Sequence, residues 1–208
     1  MFSAIRAYLA YQGSKYIKPE KAGDLRETML EFRRLGQAAR QEFTALAQSV
    51  QNRHPDLELH ATSQWMNQAQ VLRPHFWAYL QGDGQLSQPM FALRLYGNLD
   101  NFGVSLEVSF LERKKDEESL VRQAKILNLP ITAPVYYLAQ ENGESRRLDG
   151  TEANRQYLRE AVAAGRIRKV LVKLDVPLHE AESREQILDR LDEAFQTLWP
   201  YYQDTRDV

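Results

Sequence analysis

The sequence predicts an α+β fold, with an about five-stranded, largely antiparallel sheet packed with a long N-terminal helix and three or more further helices. Three observations carry this prediction. Apolar residues recur at helical spacing over 24–52, the period falls to two over 75–110, and helical and strand patterns then alternate to the end of the chain. With 208 residues and no visible linker, the chain reads as one domain, a helical segment over about 1–72 followed by a sheet-containing part over about 73–208.

The first helix is the clearest element. Leu25, Met29, Phe32, Gly36, Ala39, Phe43, Leu46 and Val50 follow at alternating steps of four and three, which makes an apolar seam on a helix about 43 Å long. Asp24 is placed to cap its start, and His54-Pro55 marks its end because the residue before proline is driven out of the α region. Gly36 and Ala39 narrow the seam so that a partner can approach closely. Packing within the chain is one use of such a seam, and a homodimer through the Asp24–Asn52 helix is the other. A second, short helical pattern covers Ser63 to Leu72.

Three strands are expected next, over 75–80, 90–96 and 103–110. If Tyr96 faces Gly103 in a hairpin, then Phe91, Leu93 and Leu95 meet Val108, Leu106 and Val104 on an apolar face. Ala92 and Arg94 then meet Glu107 and Ser105 on the opposite face. The later elements are a helix from Asp116 to Leu127, a strand from Val135 to Gln140 and a helix capped by Thr151 and closed at Gly165. A strand follows from Arg168 to Val176, with Val170, Val172 and Leu174 on one face and Lys169 and Lys173 on the other. A capping box at Ser183-Arg184-Glu185-Gln186 then opens a last helix, which Pro200 is expected to halt.

Composition narrows the chemistry. Hydrophobic residues make up 43% and charged residues 26%, the profile of an ordinary globular chain. Cys is absent, which removes disulfides, thiolate nucleophiles and Cys-based metal sites. No apolar run has the roughly 18–20 residues of a membrane span, and the opening MFSAIRAYLAYQG lacks a signal pattern, so the expectation is a cytoplasmic protein without membrane attachment. The net charge is −1, and the uneven charge distribution is too mild for a dedicated basic stripe.

Few motifs survive a geometric test. Asp100 followed by Glu112-Arg113-Lys114 spells a metal-nuclease signature, but the hairpin reading puts the two carboxylates on the order of 30–40 Å apart. The run ERKKDEES therefore reads as a strand end and a helix start. His54, His60, His75 and His179 are scattered, and Gly82 to Ser87 lacks the third glycine of a dinucleotide fingerprint. No cofactor and no metal is called for.

Two surfaces remain. The cations Arg113, Lys114, Lys115, Arg122 and Lys125 are candidates for binding an anionic ligand or nucleic acid, against a plain solvated face. Trp77, Tyr79, Arg94, Tyr96 and Glu107 are candidates for a pocket on the polar sheet face, joined there by His75 and Ser105. The alternative is a covered face with an Arg94–Glu107 ion pair. The corresponding functions are a non-catalytic binding or assembly protein and a small-molecule enzyme. The enzyme requires Arg94 or Glu107 to be unpaired and the face to lie clear of the long helix.

The stretches SLEVSFLERKKDEESLVRQ and GTEANRQYLREAVAAGRIRKVLVKLDVP, with the terminal LWPYYQ, resemble a small family of uncharacterised bacterial cytoplasmic proteins. Some of its members are labelled glucose-6-phosphate dehydrogenase. That resemblance implies hydride transfer with a nicotinamide cofactor, whereas this chain lacks the strand, glycine loop and helix that hold a pyrophosphate.

Overall fold

The computed structural model describes residues 2–82, 88–110 and 117–206. Five α-helices are seen among them: α1 (Ser3–Leu9), α2 (Arg26–Arg53), α3 (Glu117–Ala124), α4 (Glu152–Ala163) and α5 (Arg184–Thr205). The strands are β1 (Glu58–Leu59), β2 (Trp77–Gln81), β3 (Met90–Gly97), β4 (Phe102–Ser109), β5 (Tyr136–Glu141), β6 (Glu144–Asp149) and β7 (Ile167–Pro177). They form a seven-stranded sheet in the order β1-β2-β3-β4-β7-β5-β6, and every neighbouring pair is antiparallel.

The hairpin register is the expected one, with Tyr96 opposite Gly103 and Phe91, Leu93 and Leu95 opposite Val108, Leu106 and Val104. The six apolar residues of these pairs share one hydrophobic core with Phe43, Leu46 and Val50 of α2 and Leu191, Phe195 and Leu198 of α5. Ring contacts fix the layers. Phe43 stacks on Phe76 at 5.9 Å, and Phe91 packs against Phe195 and Tyr202 at 4.7 and 4.6 Å. Both long helices therefore lie on the apolar face of the sheet.

The seam of α2 goes to packing within the chain. Met29, Phe32, Gly36, Ala39, Phe43, Leu46 and Val50 are all buried, while Leu25 at the helix start is exposed. The narrow waist seats an indole of the same chain, because a Cβ added at Gly36 would lie 2.5 Å from Trp65 Cδ2. An association of two chains through α2 would need another face of that helix.

The structure departs from the sequence expectations at several points. Asp24 does not cap α2: it sits in a 3-10 turn over Gly23–Leu25, and the N-cap residue Leu25 makes no side-chain cap. Ser63 to Leu72 is not helical. Its backbone is claimed instead by bridges from Met66 to Leu72 and from Lys15 to Val71, and Asn67 Oδ1 accepts from the Val71 N–H at 3.0 Å. Two edge strands went unanticipated, β1 because it has only two residues and β6 because its ESRRLD sequence carries no apolar alternation. The short α1, which buries Ile5, Tyr8 and Leu9, was likewise unanticipated.

Pro200 does not halt α5. Proline removes one backbone donor from a helix, yet the last turn is held by tertiary contacts of Tyr201, Tyr202 and Thr205, all buried. Tyr201 also donates from its hydroxyl to the Pro130 carbonyl at 2.7 Å. Other local signals hold: Thr151 caps α4, Ser183 and Gln186 form a capping box, and Gly165 takes φ +69° after α4. Residues 83–87 and 111–116 lie outside the described residues, and with them most of the turn expected over Gly82 to Ser87, together with Glu112 and Asp116.

Candidate functional site

Strand alternation sets every second side chain of the sheet on the face opposite α2 and α5. Register lines these residues up in rows across the strands. One row runs Trp77, Arg94, Ser105 and Asp175, and the next runs Tyr79, Ala92, Glu107, Lys173, Tyr136 and Asp149. Tyr96 stands beyond the first row, opposite Gly103 and in turn Pro177. The five residues proposed from the sequence thus share one face. Pairing of β4 with β7 adds Lys173 and Asp175 to them.

The centre of the face is a buried ion cluster. Glu107 is 1% exposed and accepts from Arg94 at 3.0 Å through Oε1, while the Lys173 ammonium lies 3.1 Å from Oε2. The lysine contact has the distance of an ion pair without the alignment of a hydrogen bond, since Oε2 has no hydrogen-bond partner. Burial pushes the Glu107 carboxyl up, but Arg94 and Lys173 together outweigh it and hold the pKa down at about 2. The enzyme reading required Arg94 or Glu107 to be unpaired, and they are paired with each other.

A cationic corner adjoins this cluster. Arg73 lies over the Trp77 ring at 4.5 Å and Arg94 at 5.3 Å, so two guanidinium groups use one half-buried indole. Arg73 is positioned from behind. Its Nε donates to the Met66 carbonyl at 3.2 Å, and the Tyr8 hydroxyl is 2.9 Å from the Arg73 carbonyl and 2.5 Å from that of Trp65. Arg73 has no carboxylate partner among the described residues. His75 sits beside the indole at 5.8 Å, and its pKa is pushed down to about 4, first by burial and then by Arg94, Arg73 and Lys173. It is therefore a neutral imidazole at neutral pH.

The far end of the face carries a second assembly. Tyr136 donates from its hydroxyl to Asp175 Oδ1 at 2.8 Å, Arg147 donates to Oδ2 at 2.9 Å, and the Arg147 guanidinium lies 3.6 Å from the Tyr136 ring centroid. Burial, then the Asp175 charge, raises the Tyr136 hydroxyl above the ordinary tyrosine value. Burial and Asp175 also push Tyr96 up to about 12. Both phenols therefore stay protonated and able to donate at neutral pH.

The other candidate surface is only partly described. Arg113, Lys114 and Lys115 lie outside the described residues, and Lys125 opens a 3-10 turn in a half-buried position. Arg122 is 5% exposed, packs over the Phe110 ring at 5.3 Å and has its Nη1 3.4 Å from Gln88 Oε1. Its guanidinium thus belongs to the protein interior, not to a solvated cationic face. Asp100 is exposed in the hairpin turn. Among the described residues, no group of three or more His, Asp or Glu side chains is placed to hold a metal ion.

Sequence reasoning missed Arg73, Tyr136, Arg147 and Asp175 as members of the site. Lys173 was legible on the polar side of its strand, but the pairing that sets it beside Glu107 was not. No protein-family model matches the chain, and no curated protein matches it either. No helix among the described residues is long and apolar enough to cross a membrane.

Proposed function

We propose that this chain is a non-catalytic cytoplasmic binding protein whose polar sheet face takes an anionic ligand at the corner formed by Arg73, His75, Trp77 and Arg94. The observation that carries this reading is the charge balance of the corner. Among the described residues, Arg73, Arg94 and Lys173 all act on His75, with Glu107 as the carboxylate that opposes them there. A phosphate or carboxylate group at this corner would meet guanidinium donors and relieve the repulsion between Arg73 and Arg94 that lowers the Arg73 pKa after burial.

Acid–base catalysis has less support. A general base or acid works best with a pKa near the operating pH, whereas Glu107 is held at about 2 by its ion pairs and His75 at about 4. Both groups have settled protonation states at neutrality. Binding needs settled states, and proton transfer needs the opposite.

The test is isothermal titration of the purified chain with pyrophosphate and with AMP, in parallel with Arg73→Gln. Arg73 is chosen because its removal leaves the Glu107 ion pairs in place. Loss of one charge-assisted contact should weaken affinity by about ten- to a hundredfold, from a contribution of about 1.5–3 kcal/mol. An affinity of the variant for both anions unchanged from that of the parent protein, or no binding by either protein, would overturn the reading.

A further inference from the structure

Two guanidinium-on-ring assemblies stand on the same sheet face, and their separation says what kind of anion fits. Arg73 and Arg94 lie on Trp77 of β2, and Arg147 lies on Tyr136 of β5. The strand order places four interstrand steps between those rings, about 19 Å at the usual spacing. Between them Ser105 on β4 and Lys173 on β7 are buried, and Arg94 reaches the surface beside Trp77. A mononucleotide cannot reach from one assembly to the other. A short single strand of nucleic acid can.

We propose that the ligand of this face is single-stranded nucleic acid laid across the strands, with bases stacked at the Trp77 and Tyr136 assemblies and phosphates paired with the accessible guanidinium groups of Arg73, Arg94 and Arg147. The proposal rests on the anion-binding reading above and names its ligand. A guanidinium held flat on a ring keeps its outer plane for a base and its edge for a phosphate, and unpaired bases stack on arginine planes as well as on aromatic rings. Arg147 has 56% of its side chain exposed, so its outer plane is accessible. Among the described residues Arg73, Arg94, Lys173, Arg147 and Lys169 stand with Glu107, Asp175, Asp149 and Glu58, five cations against four carboxylates. The described face thus carries a slight cationic excess in a chain of net charge −1.

The geometry also separates this ligand from its rivals. A duplex keeps its bases stacked on one another and so offers phosphates alone. A mononucleotide fills one assembly and leaves the distant Arg147 without a role.

The experiment measures fluorescence anisotropy of a labelled mixed-sequence oligomer of about ten nucleotides, a length within the range of single-strand-binding folds, against a duplex of equal length, with AMP as competitor. The expected result is an oligomer bound at least tenfold tighter than duplex or AMP. Arg147→Ala should weaken oligomer binding by about three- to tenfold while leaving AMP binding unchanged, and Trp77→Phe should remove the quench of tryptophan emission caused by the oligomer. Circular dichroism checks that each variant is folded. An oligomer bound no tighter than AMP, or indifferent to Arg147→Ala, overturns this inference while leaving the anion site intact, provided AMP binding still depends on Arg73. If AMP binding does not depend on Arg73, the underlying reading falls as well.

Discussion

The Lys173 ammonium lies 3.1 Å from the Glu107 carboxylate with both residues buried, at 6% and 1% exposure. A buried ion pair contributes little against a well-packed apolar pair, but breaking it leaves a charge without a partner, which costs about 3–5 kcal/mol. Glu107→Ala is therefore expected to destabilise the fold by that amount in urea denaturation. Adding Lys173→Met to it should recover part of the loss, because the second change removes one stranded charge. A double variant as unstable as the sum of the two single variants would show that the pair is not coupled.

Acid should unfold the protein in two stages. His75 has a folded pKa of about 4 against an ordinary 6.5, so below 6.5 the unfolded chain takes up a proton that the folded one refuses, and stability falls as pH drops toward 4. Glu107 has a folded pKa of about 2 against 4.5; its contribution is present above 4.5 and is lost as pH falls toward 2. Urea titrations at a series of pH values should show one decline between about pH 6.5 and 4 and a further one between about 4.5 and 2. His75→Gln should flatten the first alone.

Gly36 is set for a close approach between α2 and Trp65. Alanine raises helix propensity by about 1 kcal/mol over glycine, but here its Cβ would fall 2.5 Å from the indole, which is itself packed edge-on to Tyr16 at 5.0 Å. Overpacking of this kind costs about 1–3 kcal/mol. Gly36→Ala is expected to lower stability by up to about 2 kcal/mol net of that gain. A stabilised variant would show that the ring shifts without penalty.

The start of α5 depends on a local motif that can be tested separately. Ser183 Oγ accepts from the Gln186 N–H at 3.2 Å, and Gln186 returns the contact to the Ser183 N–H at 2.8 Å. Ser183→Ala should cost about 1 kcal/mol, and Ser183→Asp should cost less because aspartate caps equally well. Equal losses for the two would show that the cap contributes nothing.

Much of the fold was legible because local pattern and tertiary structure agree. The alternation of Phe91, Leu93 and Leu95 with Ala92, Arg94 and Tyr96 fixes both the hairpin register and the face that bears the site. The seam of α2 is equally plain. Legibility ends where tertiary contacts decide. The chain continues a helix through Pro200 only because Tyr201 and Tyr202 are buried, and Ser63 to Leu72 is held open by bridges to residues as far away as Lys15. Half of the site was hidden for the same reason. Nothing local to Lys173 or Asp175 says that β7 inserts between β4 and β5, and Arg147 sits on an edge strand whose polar sequence resembles a loop.

The central claim is that an anion arrives beside His75, among Arg73, Arg94, Lys173 and the opposing Glu107. The most direct measurement is the titration of the His75 imidazole by NMR, assigned with His75→Gln, with and without saturating pyrophosphate. The account predicts a pKa of about 4 for the unliganded protein, raised by one unit or more when the anion binds. An imidazole that titrates at the same pH with and without the anion would contradict it.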